Sequence, residues 1–112
     1  MTRRGFVIRL RPGKREEYER LHVAVWPEVL ATITACGIRD YSIFLKRLDD
    51  GRDYLFATFE YVGKDFAADQ ARMAADPATQ RWWKLTEPLQ EPIRARAEGE
   101  WWAAMDQVFQ HP

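Results

Sequence analysis

Asp40-Tyr41-Ser42-Ile43-Phe44-Leu45-Lys46-Arg47, the link Asp49-Asp50-Gly51-Arg52, and Tyr54-Leu55-Phe56-Ala57-Thr58-Phe59-Glu60-Tyr61-Val62 are the stretch on which the fold turns. Tyr41, Ile43 and Leu45 share one side of the first run, and Tyr54, Phe56 and Thr58 share one side of the second. A period of two reads as a strand in each case. Asp-Gly in the link is hairpin chemistry, so the centre of the chain reads as two antiparallel strands.

Outward toward the N-terminus, Phe6, Ile8 and Leu10 alternate with Val7, Arg9 and Arg11, a further strand over residues 4–11 that Pro12-Gly13 ends. Tyr18, Leu21, His22 and Val25 then recur at helical spacing, with Glu16, Glu17, Glu19 and Arg20 on the other faces. Trp26-Pro27-Glu28 interrupts that helix and restarts it, because proline suits a first helical turn and not an interior one. Val29, Leu30 and Ile33 carry the apolar stripe on to Gly37, the stop, so the region reads as one helical arm with a kink.

Outward toward the C-terminus, a second helical region starts near Asp65 and carries Phe66, Gln70, Met73 and Ala74. Asp76-Pro77 breaks it with another cap-and-restart signature leading into Gln80-Arg81-Trp82-Trp83-Lys84. Pro88 and Pro92 break the chain beyond that helix, and residues 94–100 read as a solvated helix or a loop. The segment Met105–Gln110, with Val108 and Phe109, is assigned as a strand by order, because it completes β-α-β-β-α-β. The reading is an α+β, ferredoxin-like unit spanning residues 1–112 as a single domain, with no repeat or linker. Such a unit leaves one sheet face without helices, and pairing sheet to sheet in a homodimer would cover it.

Composition narrows the function. Lys plus Arg equals Asp plus Glu at 17 each, so no net field draws the 112-residue chain to nucleic acid or to an acidic membrane, and neither partner is expected. Cys36 is the only cysteine, which excludes an internal disulfide and any cysteine-rich metal cluster; it reads as a small buried residue beside a helix end. No run of about 18 apolar residues and no signal-like N-terminal segment occurs, so the expectation is a soluble, cytoplasmic protein. Five Trp, six Phe and four Tyr, with the pairs Trp82-Trp83 and Trp101-Trp102, supply flat apolar faces with polar edges that suit a sugar ring.

No glycine-rich phosphate loop, metal-ligand spacing or nucleophile elbow is found. Of two histidines, His111 lies one residue from the C-terminus and reads as tail. His22 is therefore the one internal side chain of a type that both takes and gives a proton near neutral pH. Read alone, it fits a helix histidine that caps or packs better than an acid–base group. Tyr18 lies four residues earlier, so its hydroxyl could face the same space. Tyr41, near the start of a strand, could be brought close, and Trp82 and Trp83 diverge by roughly 100° on a helix. An imidazole with one or two hydroxyl donors suffices to open and close a sugar hemiacetal without metal, redox carrier or covalent nucleophile. A plain binding protein would show the same set.

Tyr18-Glu19-Arg20-Leu21-His22, Trp26-Pro27-Glu28, Asp40-Tyr41-Ser42-Ile43 and Gln80-Arg81-Trp82-Trp83, in that order and at these intervals, resemble the L-rhamnose mutarotase family. The resemblance implies a dimeric α/β barrel built from ferredoxin-like units and exchange of the α and β anomers of L-rhamnose with no cofactor and no metal. It implies that His22 is the general acid/base, that Tyr18 and Tyr41 bind the sugar, and that Trp82 and Trp83 line its site. Two departures stand out. The family's Asn-Pro pair after the histidine is Val23-Ala24 here, and its polar segment after the second helical region is Glu87 to Trp102 with a second Trp pair. The second departure bears on which sugar is taken. L-fucose, another 6-deoxy sugar, is the alternative within the class. Outside it stand a dimeric-barrel monooxygenase or haem-handling protein and a non-catalytic sugar-binding module.

Overall fold

The computed structural model describes residues 2–112. In chain order the elements are β1 (Thr2–Leu10), α1 (Arg15–Val23), α2 (Pro27–Ala35), β2 (Ile38–Arg47), β3 (Asp53–Tyr61), α3 (Phe66–Ala74), α4 (Pro77–Thr86), a 3-10 turn (Glu87–Leu89), β4 (Gln90–Glu91) and β5 (Ala103–Met105). The strands form one antiparallel sheet in the order β2-β3-β1-β4, with β5 also on β1. This is the mixed α+β, ferredoxin-like arrangement that the alternating patterns predict, with β1 and β2 separated by β3.

Local chemistry accounts for most boundaries. The Asp65 carboxylate accepts from the Ala68 N–H at 3.1 Å and caps α3, and Asp76 accepts from the Thr79 N–H at 2.9 Å and caps α4. Pro27 and Pro77 occupy first turns, and Ala24, Val25 and Trp26 separate α1 from α2 as two helices rather than one kinked arm. Gly37 follows α2 with φ +82°, and a Cβ there would meet the Gly63 backbone nitrogen at 3.1 Å, so both conformation and space demand glycine.

Helices pack on one sheet face. Ile8, Leu10 and Leu55 meet Tyr18 and Leu89, while Ile38, Phe59 and Tyr61 meet Cys36 and Met73; a third cluster joins Val29, Ala78 and Trp82 between helices. Cys36 is buried at the end of α2, as expected. On the opposite face Val7, Phe56 and Phe44 are cross-strand partners, and Phe44 is 62 % exposed.

The closing strand differs from the sequence reading. It is not Met105–Gln110 but two short pieces: Glu91 and Gln90 pair with Arg9 and Leu10, and Ala103 to Met105 pair with Val7 to Gly5. Both run antiparallel to β1, so β4 and β5 are one edge strand interrupted opposite Ile8 by an excursion through residues 92–102. Beyond Met105 no regular element forms among the described residues, and Val108 and Phe109 are 96 % and 77 % exposed. An edge position needs only a few ladder bonds, and β1 makes those with residues that carry no strand-like pattern of their own. Residues 94–100 are loop.

Candidate active site

Tyr18 and His22 lie four apart on α1 and so stand on one face. Their rings stack with centroids 4.3 Å apart and 25° between planes. The His22 Nδ1 lies 2.9 Å from the Tyr18 main-chain oxygen. A carbonyl can only accept, so Nδ1 carries the proton in the neutral ring and Nε2 keeps its lone pair. Trp82 sets its ring against His22 edge-on at 5.5 Å, and Trp26 meets Trp82 in the same manner at 5.3 Å. The imidazole is thus held in plane by Tyr18 and in position by Trp82.

Tyr41 reaches the same space because of an irregularity in β2. The pairing of β2 with β3 shifts between Arg39 and Ser42, and Asp40 has φ +49°. Asp40 is an extra residue in the strand, a bulge, and it absorbs one step of alternation. Ile38 before it and Tyr41, Ile43 and Leu45 after it can then all face the helices. Arg3 brackets the bulge, bonded to Asp40 at 2.8 Å and to Glu60 at 2.9 Å.

A cavity of about 600 Å³ lies between the sheet and the helices, within the range of small-molecule sites. Tyr18, His22, Tyr41, Trp82 and Trp83 all line it. The two tryptophans diverge along α4, yet both border the cavity. Trp82 is buried with Val29 and Ala78, and half-buried Trp83 packs against both that cluster and the one that holds Cys36 and Met73. Burial pushes the Tyr18 phenol well above its ordinary range, a hydrogen bond from Gln90 opposes that shift, and the nearby Tyr41 phenol adds to it. Tyr41 is 41 % exposed as a residue, but desolvation of its hydroxyl pushes it up to about 12. Both phenols therefore keep their protons across the physiological range and can donate. Among the described residues no three His, Cys, Asp or Glu side chains come together as a metal-ligand set.

Gln90, Gln70, Trp101 and Trp102 also line the cavity, and spacing did not single them out for it. Gln90 is 3 % exposed; its Nε2 donates to the Tyr18 hydroxyl at 3.2 Å and its Oε1 accepts from the Trp101 indole N–H at 2.8 Å. Trp101 and Trp102 arrive at the end of the 92–102 excursion. Gln70, on α3, borders the cavity with a buried Nε2 that has no hydrogen-bond partner among the described residues. The second Trp pair was a visible signal without an assignable place. A lone glutamine carries no signal in a sequence, because its value depends on what lies opposite.

Comparison with known proteins bears on what fills this cavity. The family model described as L-rhamnose mutarotase matches residues 3–111. A protein of that name from Oceanobacillus iheyensis is 35 % identical over 89 residues, 80 % of each chain. One from Shigella boydii is 32 % identical over 105 residues, covering 88 % of this chain and all of its own. One from Burkholderia ambifaria is 41 % identical over 79 residues, 70 % of each. Among solved structures, an L-rhamnose mutarotase from Formosa agariphila superposes over the full length of both chains with a TM-score of 0.74 at 21 % identity. Tetracenomycin F2 cyclase from Streptomyces glaucescens does so at 0.66 and 17 %, a likeness of fold alone.

Proposed function

The chain belongs to the L-rhamnose mutarotase family, and on that premise we propose that it is an isomerase exchanging the α and β anomers of free L-rhamnose at the cavity around His22. The observation that carries the reading is the pairing of one proton acceptor with two donors. The Nδ1 contact with the Tyr18 carbonyl leaves the His22 Nε2 lone pair for the cavity, and the Tyr18 and Tyr41 hydroxyls border the same space. Nε2 takes the proton of the anomeric hydroxyl, a C=O forms at C1, and the bond between C1 and the ring oxygen breaks. The ring oxygen, hydrogen-bonded by a phenol, takes the proton back from the imidazolium. Rotation about the next C–C bond and closure on the other carbonyl face complete the exchange with no net gain or loss of protons.

Trp82 and Trp83 supply apolar walls for the C–H faces and the methyl group of a 6-deoxy sugar. The chain works as a single domain, residues 1–112, in the cytoplasm. It pairs as a homodimer through the helix-free sheet face, where Phe44 stands exposed. Val108 and Phe109, also exposed, add apolar surface that a second copy would cover.

NMR saturation transfer between the two anomeric protons tests the reading directly. Wild type should transfer saturation on L-rhamnose, and His22→Ala, with an unchanged circular-dichroism spectrum, should lose a factor of roughly 10² to 10⁴. Full exchange in a folded His22→Ala protein would remove the assigned base. Transfer on L-fucose and none on L-rhamnose would move the substrate to the other 6-deoxy sugar.

A further inference from the structure

The amide of Gln90 sits between two partners of unequal chemistry, and that inequality sets the direction of every hydrogen bond in the row. An indole nitrogen can only donate, so the group facing Trp101 must be the amide oxygen, as the 2.8 Å contact has it. The amide nitrogen is then turned toward Tyr18 and can only donate there, at 3.2 Å. A phenol that accepts through its oxygen has its own proton free for another partner. Tyr18 lies at the cavity wall with Tyr41 and His22, so that proton has the cavity to point into.

We propose that Gln90, itself oriented by Trp101, is a positioning residue that commits the Tyr18 hydroxyl to donate into the cavity, toward a sugar oxygen. The identity of that sugar oxygen rests on the mutarotase reading; the direction of the row does not. Its consequence is a site of fixed polarity. His22 Nε2 accepts, Tyr18 donates, and neither can exchange roles by a simple rotation. The row originates in the 92–102 excursion, which brings Trp101 back over β4 and so makes the interrupted edge strand part of the site. Gln90 is nearly inaccessible while Trp101 is 40 % exposed, so the indole can be altered without opening the core.

Gln90→Glu tests this best, because a carboxylate accepts from both neighbours and turns the Tyr18 proton away from the cavity. The maximal exchange rate should fall roughly tenfold or more while half-saturation by L-rhamnose moves less than about threefold. Combining Gln90→Glu with Tyr18→Phe should cost no more than the larger single loss, since both remove the same donated bond. Trp101→Phe removes only the indole donor, frees the amide to turn over, and should give a smaller loss of the same kind. It keeps the test available if a carboxylate at position 90 does not fold. A wild-type rate in both variants, or losses that multiply in full with Tyr18→Phe, would overturn the proposal.

A sugar-free readout separates this from failure of the mutarotase reading. In ¹H–¹⁵N spectra, Tyr18→Phe should shift the Gln90 side-chain amide signals and Gln90→Leu should shift the Trp101 indole signal. If the wild type exchanged no anomers but these shifts appeared, the functional reading would fall and the oriented row would stand. Unmoved signals would overturn the row itself.

Discussion

Single residues show a division between groups that hold the site and groups that wait for a ligand. Tyr18, His22 and Gln90 each have a partner that fixes their direction. Gln70 does not: its Nε2, buried at the cavity edge, meets no acceptor among the described residues. An unsatisfied buried donor costs on the order of 1–3 kcal/mol, a cost a bound hydroxyl would offset. Gln70→Leu should therefore leave the unliganded protein as stable as wild type or more so, while weakening L-rhamnose binding roughly two- to tenfold. Thermal unfolding with and without sugar checks both halves, and a variant that is destabilised with unchanged affinity would return Gln70 to a packing role. A residue type that is rare in this chain and can transfer protons, such as His22, was legible as a candidate from the chain itself. Gln70 and Gln90 were not, because an amide has no function until its neighbours determine which end faces what.

At the scale of elements, caps and breaks read directly and irregularities did not. Asp65, Asp76, Pro27 and Pro77 act within a few residues of themselves, so the starts of α2, α3 and α4 were visible in the order of letters. The bulge at Asp40 was not, since alternation in β2 looks regular from Tyr41 onward and only the pairing with β3 reveals the extra residue. Its φ of +49° carries a cost that side chains with a Cβ pay and glycine does not. Asp40→Ala and Asp40→Gly both remove the bond to Arg3, so their difference isolates the backbone. The glycine variant should be the more stable by about 1 kcal/mol in urea unfolding, with Tyr41 and sugar binding retained. An alanine variant equal to the glycine one would mean that the strand had slipped to lose the bulge. Slippage by one residue would move Tyr41 to the other face and reduce binding with it.

Across the whole molecule, the sheet separates a face that carries the helices and the cavity from one that carries no helix among the described residues. Helices and the cavity occupy one face, and Phe44 with its cross-strand partner Phe56 occupies the other. A homodimer through that face should be disrupted by Phe44→Lys, since a charge at each symmetry-related position opposes burial twice. Light scattering should report a dimer for wild type and a monomer for the variant. A wild-type monomer at micromolar concentration would remove the sheet-to-sheet pairing.

Two kinds of information meet in this chain. Period-two runs, the Asp-Gly hairpin link, the Asp-Pro helix starts and the ordered motifs around His22 and Trp82-Trp83 determined the ferredoxin-like order and the family, because propensity and turn chemistry act between near neighbours. Tertiary structure alone decided that the closing strand is Gln90–Glu91 with Ala103–Met105 rather than Met105–Gln110. It also decided that an extra residue turns Tyr41 inward, and that Trp101 and Gln90 stand behind Tyr18. These outcomes depend on which backbone and side-chain groups are left without partners once the sheet has formed, and no local pattern encodes that.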